Sequence, residues 1–408
     1  MSSYIKKCRN CNSKTLINLF TLGKIRFTGK FPKLKEKIPF GELTLVMCSF
    51  CKLVQLKQNF DMRYLYNKDY GYRTGINLTM KNHVKKVVRN LTKKTKLKKG
   101  DDVLDIASND GTLLKNYNRY NNRWGIDPII HKFKKEYKTM DFSISEFFNS
   151  KSLIKKKSNV KFKIISALSV FYDLENPNDF LSDIKKVLHN DGIFYLEFAD
   201  LMLILKNNMF DTICHEHLEY YSVTFINKLL KKHNLRIFDH NYNYINGGSS
   251  SYFICHENAK YNSNKKKINK ILSLEKKFGV EKLSTYKKFK KRIDKLKANL
   301  NILINKISKK NKTIHGYAAS TKGNVLLQYF NINKKNIKYI SDRNPKKKNL
   351  YSPGSNIKII SEAQSRKMKP DYYLVLAWHF KKEILLRENS IRKKGTKFIF
   401  PLPKIQII

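Results

Sequence analysis

Four cysteines near the start constrain this chain more than any other feature. Cys8 and Cys11 form one Cys-x-x-Cys pair, Cys48 and Cys51 form a second, and the whole chain has only six cysteines. The opening residues, MSSYIKKCRNC, carry no apolar stretch of a secretory leader, and no run of about 18 apolar residues occurs, so a reducing, cytoplasmic setting is expected. In that setting two such pairs read as one tetrahedral zinc site, each knuckle presenting two thiolates to the same ion. Four thiolates leave no open ligand position, so the zinc is expected to be structural. It would staple an N-terminal lobe, residues 1–65, that has too little core of its own.

At 408 residues the chain exceeds what one core supports, and 41% hydrophobic with 12% aromatic content is enough for several. DDVLDIASNDGTLLKNY reads as strand, tight turn, helix; RWGIDP as a second strand end; VKFKIISALSVFYDL as a buried strand; NPNDFLSDIKKVLHNDGIFYLEF as helix, turn, strand. Met80, His83, Val84 and Val87 mark a helix ahead of them. Such alternation predicts a doubly wound α/β domain over residues 66–258. Over 264–310, Tyr286, Phe289, Ile293, Leu296, Leu300, Leu303 and Ile307 step by three and four among lysines, which predicts one long amphipathic helix in a connector spanning 259–310. KTIHGYAASTKGNVLLQYF, IKYISDRNPKKKNLYSPGSNIKII and PDYYLVLAWHF then open a second α/β unit, 311–408. The expected fold is α/β throughout: zinc lobe, Rossmann-like domain, helical connector, second Rossmann-like domain.

The net charge of +51 raises nucleic acid as a partner. Lysine is spread along the whole chain, however, among abundant Asn and Ile, and no finger, helix-turn-helix or RNA-binding signature accompanies it. A solvated basic surface that attracts anionic substrates is the simpler reading.

A nucleotide-type cofactor needs close backbone approach at a strand end. Asp105 near the end of its strand, and the turn through Ala107, Asn109, Asp110 and Gly111, meet that need. Asp127 follows at the end of the next strand, where a carboxylate can accept both ribose hydroxyls. The turn lacks the Gly-x-Gly-x-x-Gly pattern that accommodates a pyrophosphate, which favours S-adenosylmethionine (SAM). In the second α/β unit Ser320, Lys322, Gly323 and Asn324 sit at a helix start suited to a diphosphate. CHEHLEYY, residues 214–221, is harder to read. In an extended segment His215 and His217 would point one way and Glu216 the other, too few ligands for a metal. By itself such a pair reads as a cluster of hydrogen-bonded imidazoles.

Taken in order, the two knuckles, YGYRTG, DIASNDGTLL, GIDP, DTICHEHLEYYS, NGGSSSYFI, GYAASTKGN, SDRNPKKKNLYSPGSNI and LVLAWHFKKEI resemble the three-domain sugar-nucleotide C-methyltransferases of deoxysugar pathways over essentially the full length. The resemblance implies SAM-dependent methylation of the carbon beside the ketone of a nucleotide-linked 4-keto sugar, through an enolate. It implies His217 as the base, Glu216 as its polar neighbour, Tyr70 or Tyr72 on the substrate side, and a C-terminal domain that holds the nucleotide. At two substrate-facing positions the chain departs from the family: Cys214 stands where tyrosine is usual, and Asp173 where histidine is usual. These two departures leave open which sugar, and which of its carbons, is methylated.

Three other readings compete: O- or N-methylation of another small molecule, a catalytically impaired binding homologue, and a basic RNA methyltransferase. Intact Asp105, Asp127 and His-Glu-His weigh against decay. The expected partner is a nucleotide-linked keto sugar, with no nucleic acid and no membrane, and the protein itself is expected as a monomer or weak dimer.

Overall fold

The computed structural model describes residues 3–66 and 71–408. Its central sheet has seven strands in the order Leu235–Asn243, Ser249–His256, Leu188–Ala199, Phe162–Leu168, Asp102–Ile106, Asn122–Ile126 and Phe142–Ile144. The five strands from Leu188–Ala199 to Phe142–Ile144 run parallel, and the other two pair antiparallel. Asp102–Ile106 is buried along its whole length, as a strand covered on both faces must be. The order of strands reverses beside it, which places a ligand crevice outside its carboxyl end.

The predicted helix after the Ser-Asn-Asp-Gly turn does not form. Only a single 3-10 turn, Leu114–Asn116, follows. Asn116 turns its amide back onto the carbonyls of Thr112 and Leu113, and the next strand begins at Asn122. A local side-chain bond of this kind competes with helix propagation.

The N-terminal sheet is antiparallel, with Leu16–Arg26, Phe40–Cys48 and Val54–Leu56 in sequence. Its fourth strand comes from far along the chain: Glu219–Tyr220 pairs with Gln55 and Val54. The stretch just after His-Glu-His is therefore built into the N-terminal sheet.

The connector is two helices, not one. Lys265–Phe278 ends at Gly279, whose φ of +80° forms a left-handed cap, and Leu283–Lys309 follows. The predicted stripe holds in the second helix, where Tyr286, Phe289, Ile293, Leu300 and Ile307 are buried together with Ile304. The C-terminal sheet runs Lys358–Ser361, Tyr339–Asp342, Ile314–Tyr317, Tyr372–Val375, Lys397–Phe400 and Gln406–Ile407, parallel except for the last pair. Among the described residues no helix is long and apolar enough to cross a membrane.

Candidate active site

The two cysteine pairs fold as matching knuckles. Asn12 N–H donates to Cys8 O and Lys52 N–H to Cys48 O, and both Asn12 and Lys52 take positive φ. Cys8 N–H and Cys48 N–H close the loops onto Ser13 O and Leu53 O. The four Sγ atoms lie within 4.8 Å of one another, with Cys8 to Cys51 at 3.6 Å and Cys11 to Cys48 at 3.5 Å. These separations are far beyond a disulfide and near the ~3.8 Å edge of a tetrahedron built on ~2.3 Å zinc–sulfur bonds. Gln55 donates to Cys8 Sγ from the neighbouring strand. The donor set fits one structural zinc ion.

At the cofactor crevice the turn is held by its own side chains. Asp110 accepts from Thr112 N–H and Oγ1 on one oxygen, and from Arg73 Nε and Gly75 N–H on the other. Asn109 Oδ1 accepts from Thr74 N–H, and its amide donates to Tyr72 O. These bonds fasten residues 72–75 against the turn. Gly75 is required there, since a Cβ would stand 2.7 Å from Asp110 Oδ2. Ala107, Asn109 and Gly111 all take positive φ, so the backbone weaves outward at alternate residues. Asp127 Oδ2 accepts from Asn109 N–H at 2.9 Å and Oδ1 from Ile129 N–H at 2.8 Å. Each oxygen keeps a free lone pair, which fits a ribose diol. Burial raises Asp127, against the pull of those two N–H groups. Burial likewise pushes Asp105 up to about 7, despite a 2.6 Å hydrogen bond from Ser166.

The His-Glu-His segment is a turn, closed by His217 N–H on Cys214 O at 3.2 Å, rather than the extended stretch expected. The two histidines therefore go to different places. His215 is fully buried between Phe27 and Phe60 of the N-terminal lobe, near Gly41 O. His217 lies over the Tyr172 ring, centroids 4.0 Å apart, and its Nδ1 is 2.7 Å from Thr212 O. A carbonyl accepts only, so Nδ1 carries the proton and Nε2 presents a lone pair. Crowding by protein, reinforced by the Lys322 ammonium, pulls His217 down to about 3, yet the residue keeps partial access to solvent. That combination marks a cleft.

Three parts of the chain are tied together around this segment. Lys322 Nζ, at the start of the helix Thr321–Tyr329, donates to Asn246 O at 2.8 Å. Asn324, fully buried, donates to Thr28 O of the N-terminal lobe, and Gln328 pairs with both backbone polar groups of Arg26. Trp378 Nε1 donates to the buried Asp211 at 2.7 Å. Ser320 caps its helix on Gly323 N–H, and Gly323 packs against Leu376. Of the four residues predicted at this helix start, Lys322 is the one whose charge acts on His217, while Gly323 and Asn324 make packing and bridging contacts.

Tyr72 is 47% exposed, and its backbone carbonyl accepts from the Asn109 amide. Tyr70 lies outside the described residues. Asp173 is buried, accepts from Tyr66 Oη at 2.6 Å on one oxygen and has no partner among the described residues for the other. Glu216 packs against Cys214 and Thr28 without a well-formed hydrogen bond to either carboxylate oxygen. Burial raises Asp173, Glu216 and Cys214 alike. Sequence reasoning missed Tyr66, Lys347 and His379. The last sits beside Lys322, and burial holds it well below the usual histidine range. Trp-His after a buried strand was the available signal for it.

Family models match the chain in three consecutive stretches: a zinc binding domain over residues 8–66, a methyltransferase domain over 69–240, and a C-methyltransferase C-terminal domain over 244–403. Together with the sheet order and the cluster of four cysteines they define a SAM-dependent C-methyltransferase with an N-terminal zinc lobe, and the chain belongs to that family. A curated relative is C-methyltransferase NovU of Streptomyces niveus, 28% identical over 412 residues, 99% of this chain and 97% of that protein. Among solved structures, a SAM-dependent methyltransferase from Clostridium acetobutylicum ATCC 824 is 16% identical and covers 43% of this chain and 92% of its own, TM-score 0.35. Magnesium protoporphyrin IX methyltransferase from Synechocystis PCC 6803, with bound SAH, is 15% identical and covers 48% and 92%, TM-score 0.33.

Proposed function

We propose that this protein methylates the carbon beside the ketone of a nucleotide-linked 4-keto deoxysugar, with His217 as the base. The observation that carries the reading is the fixed tautomer: Thr212 O holds the proton on Nδ1, leaving the Nε2 lone pair free in a cleft where three domains meet. A C–H beside a ketone is a weak acid and needs such a base. SAM, when bound, supplies the electrophilic methyl that the enolate carbon takes. Asp127 and the backbone of residues 107–111 would hold its nucleoside, with Asn109 and Asp110 shaping the turn and Asp105 supporting it from below.

Lys322 serves the enolate by charge: its ammonium acts on His217, and a developing oxyanion gains most from a cation already in place. The same cation keeps His217 weakly basic in the free enzyme. An anionic diphosphate at the helix start marked by Ser320 and Lys322 would offset that charge and raise His217 toward a working range. The C-terminal domain thus takes the nucleotide half of the substrate. Tyr72, Glu216, Asp173 and Cys214 would line the sugar, and a carboxyl at 173 offers it a different hydrogen-bond partner from a histidine.

The test combines SAM with a panel of nucleotide-linked 4-keto sugars and looks for the mass of one added CH₂. His217→Asn is expected to retain SAM binding, lose methyl transfer by ~10²–10⁴-fold, and lose solvent deuterium exchange at the carbon beside the ketone. Exchange at the wild-type rate in that variant would remove His217 as the base.

A further inference from the structure

Glu197 is a buried carboxylate that the proposed reaction does not use. It stands near the carboxyl end of the strand Leu188–Ala199, level with Leu168 of the neighbouring strand. Four side chains donate to it: His83 Nε2 at 2.6 Å on Oε1, and the Tyr195 hydroxyl, Ser251 Oγ at 2.7 Å and Asn243 Nδ2 at 2.9 Å on Oε2. Burial pushes the carboxyl up, but the bonds from His83, Tyr195 and Ser251 outweigh it and hold Glu197 below the usual glutamate range. It is an anion at neutral pH. A buried anion is costly unless its bonds are well made, and two sets of these bonds lead to one place.

That place is the loop Ile245–Gly248. Asn246, Gly247 and Gly248 take φ of +55°, +95° and +150° in succession, a conformation that persists only where its surroundings fix it. Glu197 fixes it from two sides. Through its side chain it holds Asn243, whose Oδ1 accepts from Ile245 N–H at 2.9 Å. Through its backbone it holds Ser169: Glu197 O accepts from Ser169 N–H at 2.7 Å, and Ser169 Oγ accepts from Asn246 Nδ2 at 3.2 Å. The same loop offers Asn246 O, which receives Lys322 Nζ at 2.8 Å. A neutral residue at 197 could pack in this sheet, but an ionised acceptor grips the Asn243 amide about twice as strongly as a neutral one.

We propose that Glu197 is a positioning residue for methyl transfer: through Asn243 and Ser169 it sets the loop that holds Lys322, and so where that ammonium stands. The proposal rests on the reading that Lys322 serves the enolate. The effect of Glu197 passes through one carbonyl oxygen, so it disappears when position 322 carries no ammonium.

The experiment is a double-mutant cycle on the full chain, with SAM and a nucleotide-linked 4-keto sugar that the wild-type protein methylates. Glu197→Gln is expected to lower kcat ~10- to 100-fold, the scale of a misplaced catalytic group, with KM for SAM unchanged. In the Lys322→Met background the same change should cost less than about 3-fold. Equal losses in the two backgrounds would make Glu197 a part of the sheet alone and overturn the proposal. Asn243→Ser, at a half-buried position, should repeat the pattern if Glu197→Gln fails to fold. A second readout needs no substrate: acylation of lysine amines, mapped by mass spectrometry. Lys322 should react several-fold faster in either variant, while Lys347, also half-buried and held on Ala319 O at 2.7 Å, keeps its rate. Unchanged reactivity of Lys322 would overturn the proposal whether or not a sugar is methylated. A wild-type chain that methylates none of the sugars would instead overturn the reading on which it rests.

Discussion

His215 and His217 are two residues apart and do opposite things, and the difference is set by one backbone turn. The motif and its resemblance single out His217 in the sequence. The direction of each ring was not legible there, because alternation belongs to an extended strand and the turn that closes His217 on Cys214 breaks it. His215 instead completes an aromatic cage with Phe27 and Phe60, and burial lowers it to about 4. The unfolded chain therefore takes up a proton near pH ~6.5 that the folded chain refuses until about 4. Stability from this group is full above the first value and is lost as pH falls toward the second, by about 2 kcal/mol at pH ~5. His215→Gln should flatten the acid side of the stability profile, read as the change in denaturation midpoint between about pH 7 and pH 5. An unchanged slope would show that His215 titrates normally. Lys347 and His379 were beyond sequence reasoning for another reason: their partners lie in loops that only the folded sheets bring together.

Among the elements, the strands were the most legible, since buried β-branched runs bounded by turn residues leave little alternative. Two helix predictions failed through local chemistry that the apolar pattern does not report. Asn116 bonding backward ended one helix before it began, and Gly279, a recognisable stop signal after Phe278, divided the other. The zinc knuckles were legible in full because thiolate spacing alone defines them. Their consequence for the site was not, since nothing in the sequence shows that Glu219–Tyr220 pairs with Gln55 and Val54. Cys48→Ser should lower thermal stability and bring zinc content well below one ion per chain. It should also reduce methyl transfer in the surviving folded fraction, because the strand that anchors His217 is part of the weakened lobe, while SAM affinity changes little. Metal analysis that finds one zinc per chain in the variant would contradict this.

At the scale of the molecule, the site belongs to no single domain. Asn324 and Gln328 fix the C-terminal domain to the N-terminal lobe, and Trp378 and Lys322 fix it to the methyltransferase domain. The loop that receives Lys322 depends on Gly247, which has φ +95° and lies so close to Trp378 that a Cβ would stand 2.6 Å from the indole. Gly247→Ala should therefore part the two domains: methyl transfer should fall at least ~10-fold, with SAH binding little changed and the main unfolding transition lowered by roughly 1–3 kcal/mol. Full activity in that variant would mean that the interface does not govern the chemistry. The two Rossmann-like sheets and the zinc knuckles were readable from the residues, but the bonds that tie the C-terminal part to the N-terminal sheet were not, because they join residues hundreds of positions apart.

The late strand in the N-terminal sheet also bears on how the chain is made. A ribosome delivers the knuckles first, yet the edge at Val54–Leu56 has no neighbour until Glu219 and Tyr220 emerge. During that interval a bare β-edge is open to other nascent chains. An expressed fragment ending near residue 66 would carry the same open edge permanently, so the lobe is expected to associate when made on its own.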